Sequence, residues 1–340
     1  MADLFSTNVM TGVVNSLQAP PSFLLDTFFP AIQTEQSEEI HFDVENDVMG
    51  LAPFVSPVVE GKVLSDQGFT TKTFKPAYVK PKNVWDNSRP LKRYKGEQFG
   101  GSLTAGDRQR LILADYLTNH VKLIRRRKEW MASSILRTGA VTISGELYQT
   151  VSVDFGRDAA LTITKTSPNL WGESGIKPLD DLQDWADLIN EKSGAEVVDV
   201  VMDVAAWKVF RSDADVKDRL NVQRRLAERP SMVQDAVYRI GGNFAGAIDG
   251  FNIWVYSGRY KDDAGTVQKL LPDGTVLMVG EMMGVQAYGA ILDEKAGFQA
   301  LPYFSKTWVE EDPPRRFVMT QSAPLLVPYR PNASFCATVL

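Results

Sequence analysis

Between Asp107 and Thr138 a single helical pattern runs on without losing its period. Apolar residues Ala114, Leu117, Val121, Ile124, Met131 and Ile135 recur at alternating steps of three and four, with Lys128 interrupting the row. Thr104 or Asp107 can cap the start and Gly139 can stop the helix. At about 1.5 Å per residue such a helix is roughly 48 Å long, against the usual ~11–12 residues. It must cross the molecule. Its eight basic residues (Arg108, Arg110, Lys122, Arg125, Arg126, Arg127, Lys128, Arg137) against three acidic ones (Asp107, Asp115, Glu129) give it a charge of +5.

The segment before it, 51–98, is built differently. Prolines recur at Pro53, Pro57, Pro76, Pro81 and Pro90, and between them lie β-type runs, Val58–Leu64 and Phe69–Phe74, joined through Asp66-Gln67-Gly68. That pattern predicts a long twisted hairpin with its prolines at strand starts or edges. Nine basic residues against four acidic ones make this segment +5 as well. A proline-rich basic ribbon of this size has little to fold around, so it reads as an extended loop rather than a small domain. Residues 1–50 read as an arm, broken by Ala19-Pro20-Pro21 and Phe28-Phe29-Pro30. Its apolar cluster (Phe23, Leu24, Leu25, Phe28, Phe29) must cap this chain's own core or dock on another subunit.

Beyond the helix, 140–165 alternates in strand fashion around a Ser144-Gly145 turn. From 178 the pattern becomes α/β: a helix opening on Asp180-Asp181 and carrying Leu179, Leu182, Ala186 and Ile189, then a buried strand, Val197–Met202, and a helical stretch from about 204 to 228. Phe251–Tyr256 and Thr275–Val279 read as strands, the latter introduced by the Pro272-Asp273-Gly274 turn, and Arg316–Leu340 returns to strand-like alternation. The 340 residues would suit about two domains, and 44% hydrophobic residues suffice for a core. The fold class expected from the residues is α+β.

The sequence displays no recognisable catalytic constellation. Two histidines (His41, His120) and one cysteine (Cys336) cannot assemble a His/Cys metal cluster or an internal disulfide. No apolar run approaches the ~18 residues that span a bilayer, and Met1–Leu17 lacks the basic region of a secretion signal, so a soluble intracellular protein is expected. Gly241–Gly246 is followed by Ala247 rather than Lys-Ser/Thr, which leaves a glycine-rich loop and no phosphate-binding P-loop. Ser174-Gly-Ile-Lys177 fits the Ser-x-x-Lys nucleophile pattern without its companion motif. The acid runs Asp180-Asp181, Asp262-Asp263 and Glu310-Glu311-Asp312 read as solvated surface, His120 as a surface or interface residue, and Cys336 as a small buried hydrophobe. No catalytic residue, cofactor site or metal site is assigned. Arg125-Arg126-Arg127-Lys128 reads as a solvated face or as inter-subunit ion pairs, with direct contact to nucleic acid as the other reading.

Five words in the sequence carry a resemblance: Phe54–Val63 (FVSPVVEGKV), Tyr78–Lys82 (YVKPK), Phe210–Ser212 (FRS), Val255–Tyr260 (VYSGRY) and Asp312–Leu325 (DPPRRFVMTQSAPL). In this order they resemble the lambda-type tailed-phage major capsid proteins, from roughly residue 50 to the C-terminus. The resemblance implies the Hong Kong 97-type capsid fold. Residues 1–50 would be the N-terminal arm and 51–98 the extended loop. A peripheral domain, 99–174, would hold a spine helix at 104–138, with an axial domain at 175–312. A C-terminal strand, 313–340, would return to the peripheral domain.

The function this implies is a shell subunit that assembles into hexamers and pentamers around packaged double-stranded DNA, without sequence-specific binding and without a membrane. The arm and loop would find their apolar and ionic partners on adjacent copies, through Phe69, Phe74, Lys75, Tyr78, Lys80, Arg125, Arg126 and Arg127. The chain is −5 overall and the two basic segments are +5 each, so the remainder is −15, and a basic loop across an acidic neighbour would fix register. About fifty residues before the loop are too few for a fused scaffold, so a separate scaffolding protein is expected. A portal is expected too, a decoration protein is left open, and the virion capsid, assembled in the host cytoplasm, is the location. An encapsulin-like compartment, a soluble α/β enzyme and a nucleic-acid-binding module are the competing readings.

Overall fold

The computed structural model describes residues 6–17, 22–45, 69–86, 88–98, 103–145, 148–219, 242–262, 264–312 and 315–340. Five helices are labelled: α1 Thr7–Ser16, α2 Phe23–Phe28, α3 Ala105–Thr138, α4 Pro178–Ser193 and α5 Val204–Phe210. The strands in the N-terminal half are β1 Ala31–Thr34, β2 Ile40–Glu45, β3 Phe69–Phe74, β4 Lys82–Asp86, β5 Ala140–Gly145, β6 Tyr148–Asp154 and β7 Thr162–Thr164. Next come β8 Val197–Asp203, β9 Gly242–Ile248, β10 Phe251–Tyr256, β11 Arg259–Lys261, β12 Val267–Lys269 and β13 Thr275–Gly280. The last five are β14 Gly284–Tyr288, β15 Phe304–Glu310, β16 Arg315–Gln321, β17 Pro324–Pro328 and β18 Ser334–Thr338.

The predicted long helix is present as α3, 34 residues and about 51 Å. Both expected N-terminal residues act together. The Thr104 hydroxyl accepts from the Asp107 amide while the Asp107 carboxylate receives the Thr104 N–H, a capping box. Gly139, at φ 69°, closes the C-terminus in the left-handed conformation. A side chain there would collide with Arg157, which donates to the Leu136 and Arg137 carbonyls at 2.7 and 2.5 Å and to Thr162 Oγ1 at 2.6 Å. The last turn of α3 is thus capped twice.

One six-stranded sheet, ordered β7-β18-β13-β8-β10-β9, has a core on each face of its inner strands. Val200 and Met202, Val276 and Met278, and Phe335 and Ala337 turn towards Leu182, Trp185 and Ile189 of α4. Their neighbours Val201, Leu277 and Cys336 face a second core made with Met131, Ala132, Ile135 and Leu136 of α3. The period-two alternation of a strand thus serves two cores at once, which is why these strands read as continuous apolar runs. The N-terminal half of α3 enters a third cluster: Ile112, Leu113, Leu117 and Val121 pack with Met10 and Val14 of α1, Trp85 and Val318. Trp85 and Val318 belong to the three-stranded sheet β15-β16-β4. The helix is the element common to both ends.

Several expectations are corrected. Val58–Leu64 and the Asp66-Gln67-Gly68 turn lie outside the described residues, and Phe69–Phe74 pairs antiparallel with Ile40–Glu45 of the arm, Ile40 opposite Phe74. The reason is apolar: Ile40, Phe42 and Phe74 all enter this chain's own core, with Phe42 packed on Phe155 at 5.5 Å. The arm's Phe23, Leu24, Leu25, Phe28 and Phe29 are likewise buried at home, so they are not left for a neighbouring copy.

Gly242–Ile248 is strand β9 and not a loop, and a Cβ on Gly242 would lie 2.8 Å from the Phe23 ring. The glycine serves close packing. The helical stretch after β8 divides into α5 and further helical residues 214–219, and its remainder lies outside the described residues. Segment 313–340 does three things. β16 joins the sheet beside α3, β17 pairs with β14, and β18 enters the six-stranded sheet between β7 and β13.

Candidate assembly site

The arm is fastened to α3 by charges inside the protein. Glu129 of α3 is 5% exposed. Its carboxylate receives the Leu24 and Leu25 amides at 2.9 and 2.8 Å and the Tyr256 hydroxyl at 2.8 Å. Those amides are the donors left unpaired at the start of α2, so a buried carboxylate supplies what a capping side chain would otherwise provide. One turn earlier, Arg125 donates to both oxygens of Asp26 at 2.7 and 2.6 Å. Lys128, 2% exposed, donates to Tyr288 Oη at 2.7 Å and Gln286 Oε1 at 3.1 Å, under the rings of Tyr288 and Tyr303. Gln286 Nε2 then donates to the Phe29 carbonyl at 2.8 Å, which returns the network to the arm. Burial pushes the Lys128 ammonium down to about 7, with nearby Arg125 adding to the shift. Burial raises the Glu129 carboxyl against the pull of its three donors.

A second polar chain ties β4 to the same helix. His120 is fully buried. Its Nε2 lies 2.6 Å from Asn83 Oδ1 of β4, and its Nδ1 lies 3.0 Å from Thr320 Oγ1 of β16. An amide oxygen only accepts, so Nε2 carries the proton and Nδ1 accepts from the threonine. Thr320 meets Ser305 Oγ of β15 at 2.8 Å, and the Ser305 amide donates to Thr11 Oγ1 of α1 at 3.3 Å. The expected surface or interface role for His120 is therefore corrected to a satisfied core position joining four elements. Burial pushes its imidazole down to about 4. A depressed histidine binds fewer protons folded than unfolded, so stability should fall as pH drops from about 6.5 towards 4, by about 3 kcal/mol in full. Urea unfolding across that range should show the slope, and His120→Gln should remove it.

The residues predicted to meet neighbours divide. Phe69 lies in β3, and Phe74 is buried in this chain's own core. Lys75 pairs with Glu38 on the surface. Tyr78 donates its hydroxyl to the Ala290 carbonyl at 2.8 Å and receives the Leu292 amide at 3.2 Å, with the exposed Lys80 ammonium 4.4 Å from its ring. Lys75, Tyr78 and Lys80 thus share the stretch between β3 and β4.

The basic run does not act as a unit. Arg125 is tied to Asp26 and Lys128 is buried, whereas Arg126 and Arg127 are exposed, Arg127 lying 5.5 Å from the Trp130 ring. Glu129, Asn83 and His120 were missed as network members. The available signal was Lys128 breaking an apolar row, since a charge on a buried helix face requires a built partner set.

Lys177 precedes α4 with Nζ 3.6 Å from Asp215, on an exposed surface. Asp181 holds the Trp171 indole N–H at 2.7 Å and pairs with Lys165, a structural task rather than the solvated one expected. Cys336 is buried as expected, and its thiol is pushed up to about 11. Among the described residues no three or more His, Cys, Asp or Glu side chains gather as a metal site, and no helix is long and apolar enough to cross a membrane.

Comparison with known proteins places this arrangement. The family described as "Phage major capsid protein E" matches residues 6–339. The major capsid protein of Enterobacteria phage P21 is 30% identical over 332 residues, covering 95% of this chain and 96% of that one. The major capsid protein of Escherichia phage lambda is 30% identical over 312 residues, 89% of each chain. In three dimensions the chain superposes on the crystal structure of a prophage protein from E. coli CFT073, described as a capsid protein. The TM-score is 0.74 with 23% identity, covering 98% of this chain and 99% of that one. The capsid of Ralstonia phage GP4 gives a TM-score of 0.56 with 16% identity, over 91% and 86%. These likenesses establish the Hong Kong 97-type capsid fold, and the two curated relatives named above are major capsid proteins of phages. A chain matched over residues 6–339 by one family model belongs to the phage major capsid protein E family and is a head-shell protein.

Proposed function

We propose that this chain assembles into the hexamers and pentamers of an icosahedral tailed-phage head. It would work with a scaffolding protein and a portal, and would enclose double-stranded DNA without reading its sequence. The observation that carries this is the family match across residues 6–339. The build of the subunit supports it: arm, β4 and C-terminal strands are tied to one long helix by buried ion and hydrogen-bond networks. Such a body is rigid enough to repeat around symmetry axes. Because the arm's apolar residues are used internally, contact between copies falls to exposed groups such as Lys75 and Lys80. Net negative charge suits the inside of a container for DNA.

Negative-stain microscopy of the chain expressed with and without its scaffold tests the proposal. Closed shells are expected, and a chain that stays monomeric under both conditions would overturn it. A sharper version reverses Lys75 and Lys80 to Glu. Both are exposed, so thermal unfolding of the subunit should move little, while the yield of shells should fall. Unchanged shells would defeat the charge argument for the loop.

A further inference from the structure

The stretch between β3 and β4 is clamped almost residue by residue. Pro76 is buried against Gly289, where an added Cβ would come within 2.9 Å of the proline ring. The Tyr78 hydroxyl donates to the Ala290 carbonyl at 2.8 Å and receives the Leu292 amide at 3.2 Å. Its ring packs with Ile291, Ala296 and Phe304. The Val79 backbone exchanges two hydrogen bonds with Ser322, at 2.9 and 3.1 Å, and the Pro81 carbonyl accepts from the Thr320 amide at 3.1 Å. Lys82 then opens β4, its ammonium 5.1 Å from the Phe317 ring. Two of the words singled out in the sequence, Tyr78–Lys82 and Asp312–Leu325, therefore meet in space. With proline fixing φ at two of its positions, the stretch is a strut with few other conformations open to it.

Lys80 is the side chain of this word that the strut turns to solvent. It is exposed, and its ammonium lies 4.4 Å from the centre of the Tyr78 ring. A free lysine samples many rotamers. A ring that is itself pinned at its hydroxyl gives this one a place to stand.

We propose that Tyr78 is a positioning residue for contact between copies: its hydroxyl pins the ring to Ala290 and Leu292, and the ring holds the Lys80 ammonium ready for an acidic group on a neighbouring copy. This rests on the reading above that Lys80 meets a neighbour. The charge that binds belongs to the lysine, and the tyrosine acts through it. A cation held in place before docking gives up less side-chain freedom on contact, so the loss of Tyr78 should appear in assembly rather than in the fold of the subunit.

The test uses the full-length chain under whichever microscopy condition above gives closed shells, with light scattering to read the concentration at which shells first form. Lys80→Gln should raise that concentration about tenfold, whereas Lys80→Arg, which keeps the charge and stacks well on a ring, should stay within about twofold of the parent. Tyr78→Phe keeps the ring but unpins it, and should raise the concentration about threefold. The double variant, Tyr78→Phe with Lys80→Gln, should assemble no worse than Lys80→Gln alone. Thermal midpoints of the unassembled subunits should stay within about 4 °C of the parent. Amide hydrogen exchange around Leu292 should quicken in Tyr78→Phe and stay unchanged in Lys80→Gln.

If the two single effects add in full, or Tyr78→Phe assembles like the parent while Lys80→Gln does not, the proposal is overturned and the contact reading stands. A Tyr78→Phe midpoint far below the parent's, with assembly lost in step, would make the hydroxyl a stability element and overturn it too. Indifference to both Lys80→Gln and the reversal of Lys75 and Lys80 would overturn the contact reading, and the proposal with it. So would the absence of shells under both microscopy conditions.

Discussion

Glu129→Ala should lower the stability of the unassembled subunit by about 3–5 kcal/mol, the cost of breaking one side of a buried, fully used charge site. The carboxylate receives three donors, and alanine leaves all of them without their acceptor. Glu129→Gln keeps the shape and one acceptor oxygen, so it should lose a smaller part. Chemical denaturation reads the difference directly. Because two of the donors are the Leu24 and Leu25 amides, the alanine variant should also expose the arm to limited proteolysis well before the body unfolds. A variant as stable as the parent, with a protected arm, would show that Glu129 is incidental to arm docking.

Lys128→Met is expected to act in the opposite direction. The folded protein holds this ammonium at about 7, far below its ordinary ~10.4. The unfolded chain therefore binds the proton more readily than the folded one everywhere between those values. The penalty is complete below pH 7 and relaxes as pH rises towards 10.5, with a full size of about 5 kcal/mol from the shift alone. Methionine fills a similar volume without charge, and Tyr288 can still donate to Gln286 at 3.1 Å. The variant should gain about 1–3 kcal/mol near neutral pH, and the gain should shrink above pH 9. A loss of stability that does not change with pH would mean that the two Nζ hydrogen bonds outweigh the burial.

These two neighbours on one helix also mark how far the sequence could be read. The period of α3, its Thr104–Asp107 start and its Gly139 stop were legible because they are local, and so were the buried strands around Val200 and Leu277. The destination of each face was not. Phe23, Leu24 and Leu25 look the same whether they cap their own core or a neighbour's. Only the six-stranded sheet, assembled from strands as distant as β7 and β18, provides the surface that receives them. Lys128 and His120 were misread for the same reason. Their partners, Gln286, Tyr288, Asn83 and Thr320, are 37 to 200 positions away in the chain. Charge counts gave the +5 of α3 correctly, yet a sum cannot separate a guanidinium tied to Asp26 from one facing solvent. The eight residues named for contact between copies were chosen on type alone, and Phe74 and Arg125 turned out to serve the subunit itself.

The position of β18 has a consequence for synthesis. It lies between β7 and β13, one strand in from the sheet edge, so the pairing edge of β13 stays open until the ribosome has passed Thr338. A nascent chain emerging at about 5–20 residues per second would keep the apolar edge of β13 uncovered for seconds after making it. It would need chaperone cover during that interval. Products truncated before this strand would keep β13 as an open edge and be cleared by proteolysis instead of entering a growing lattice.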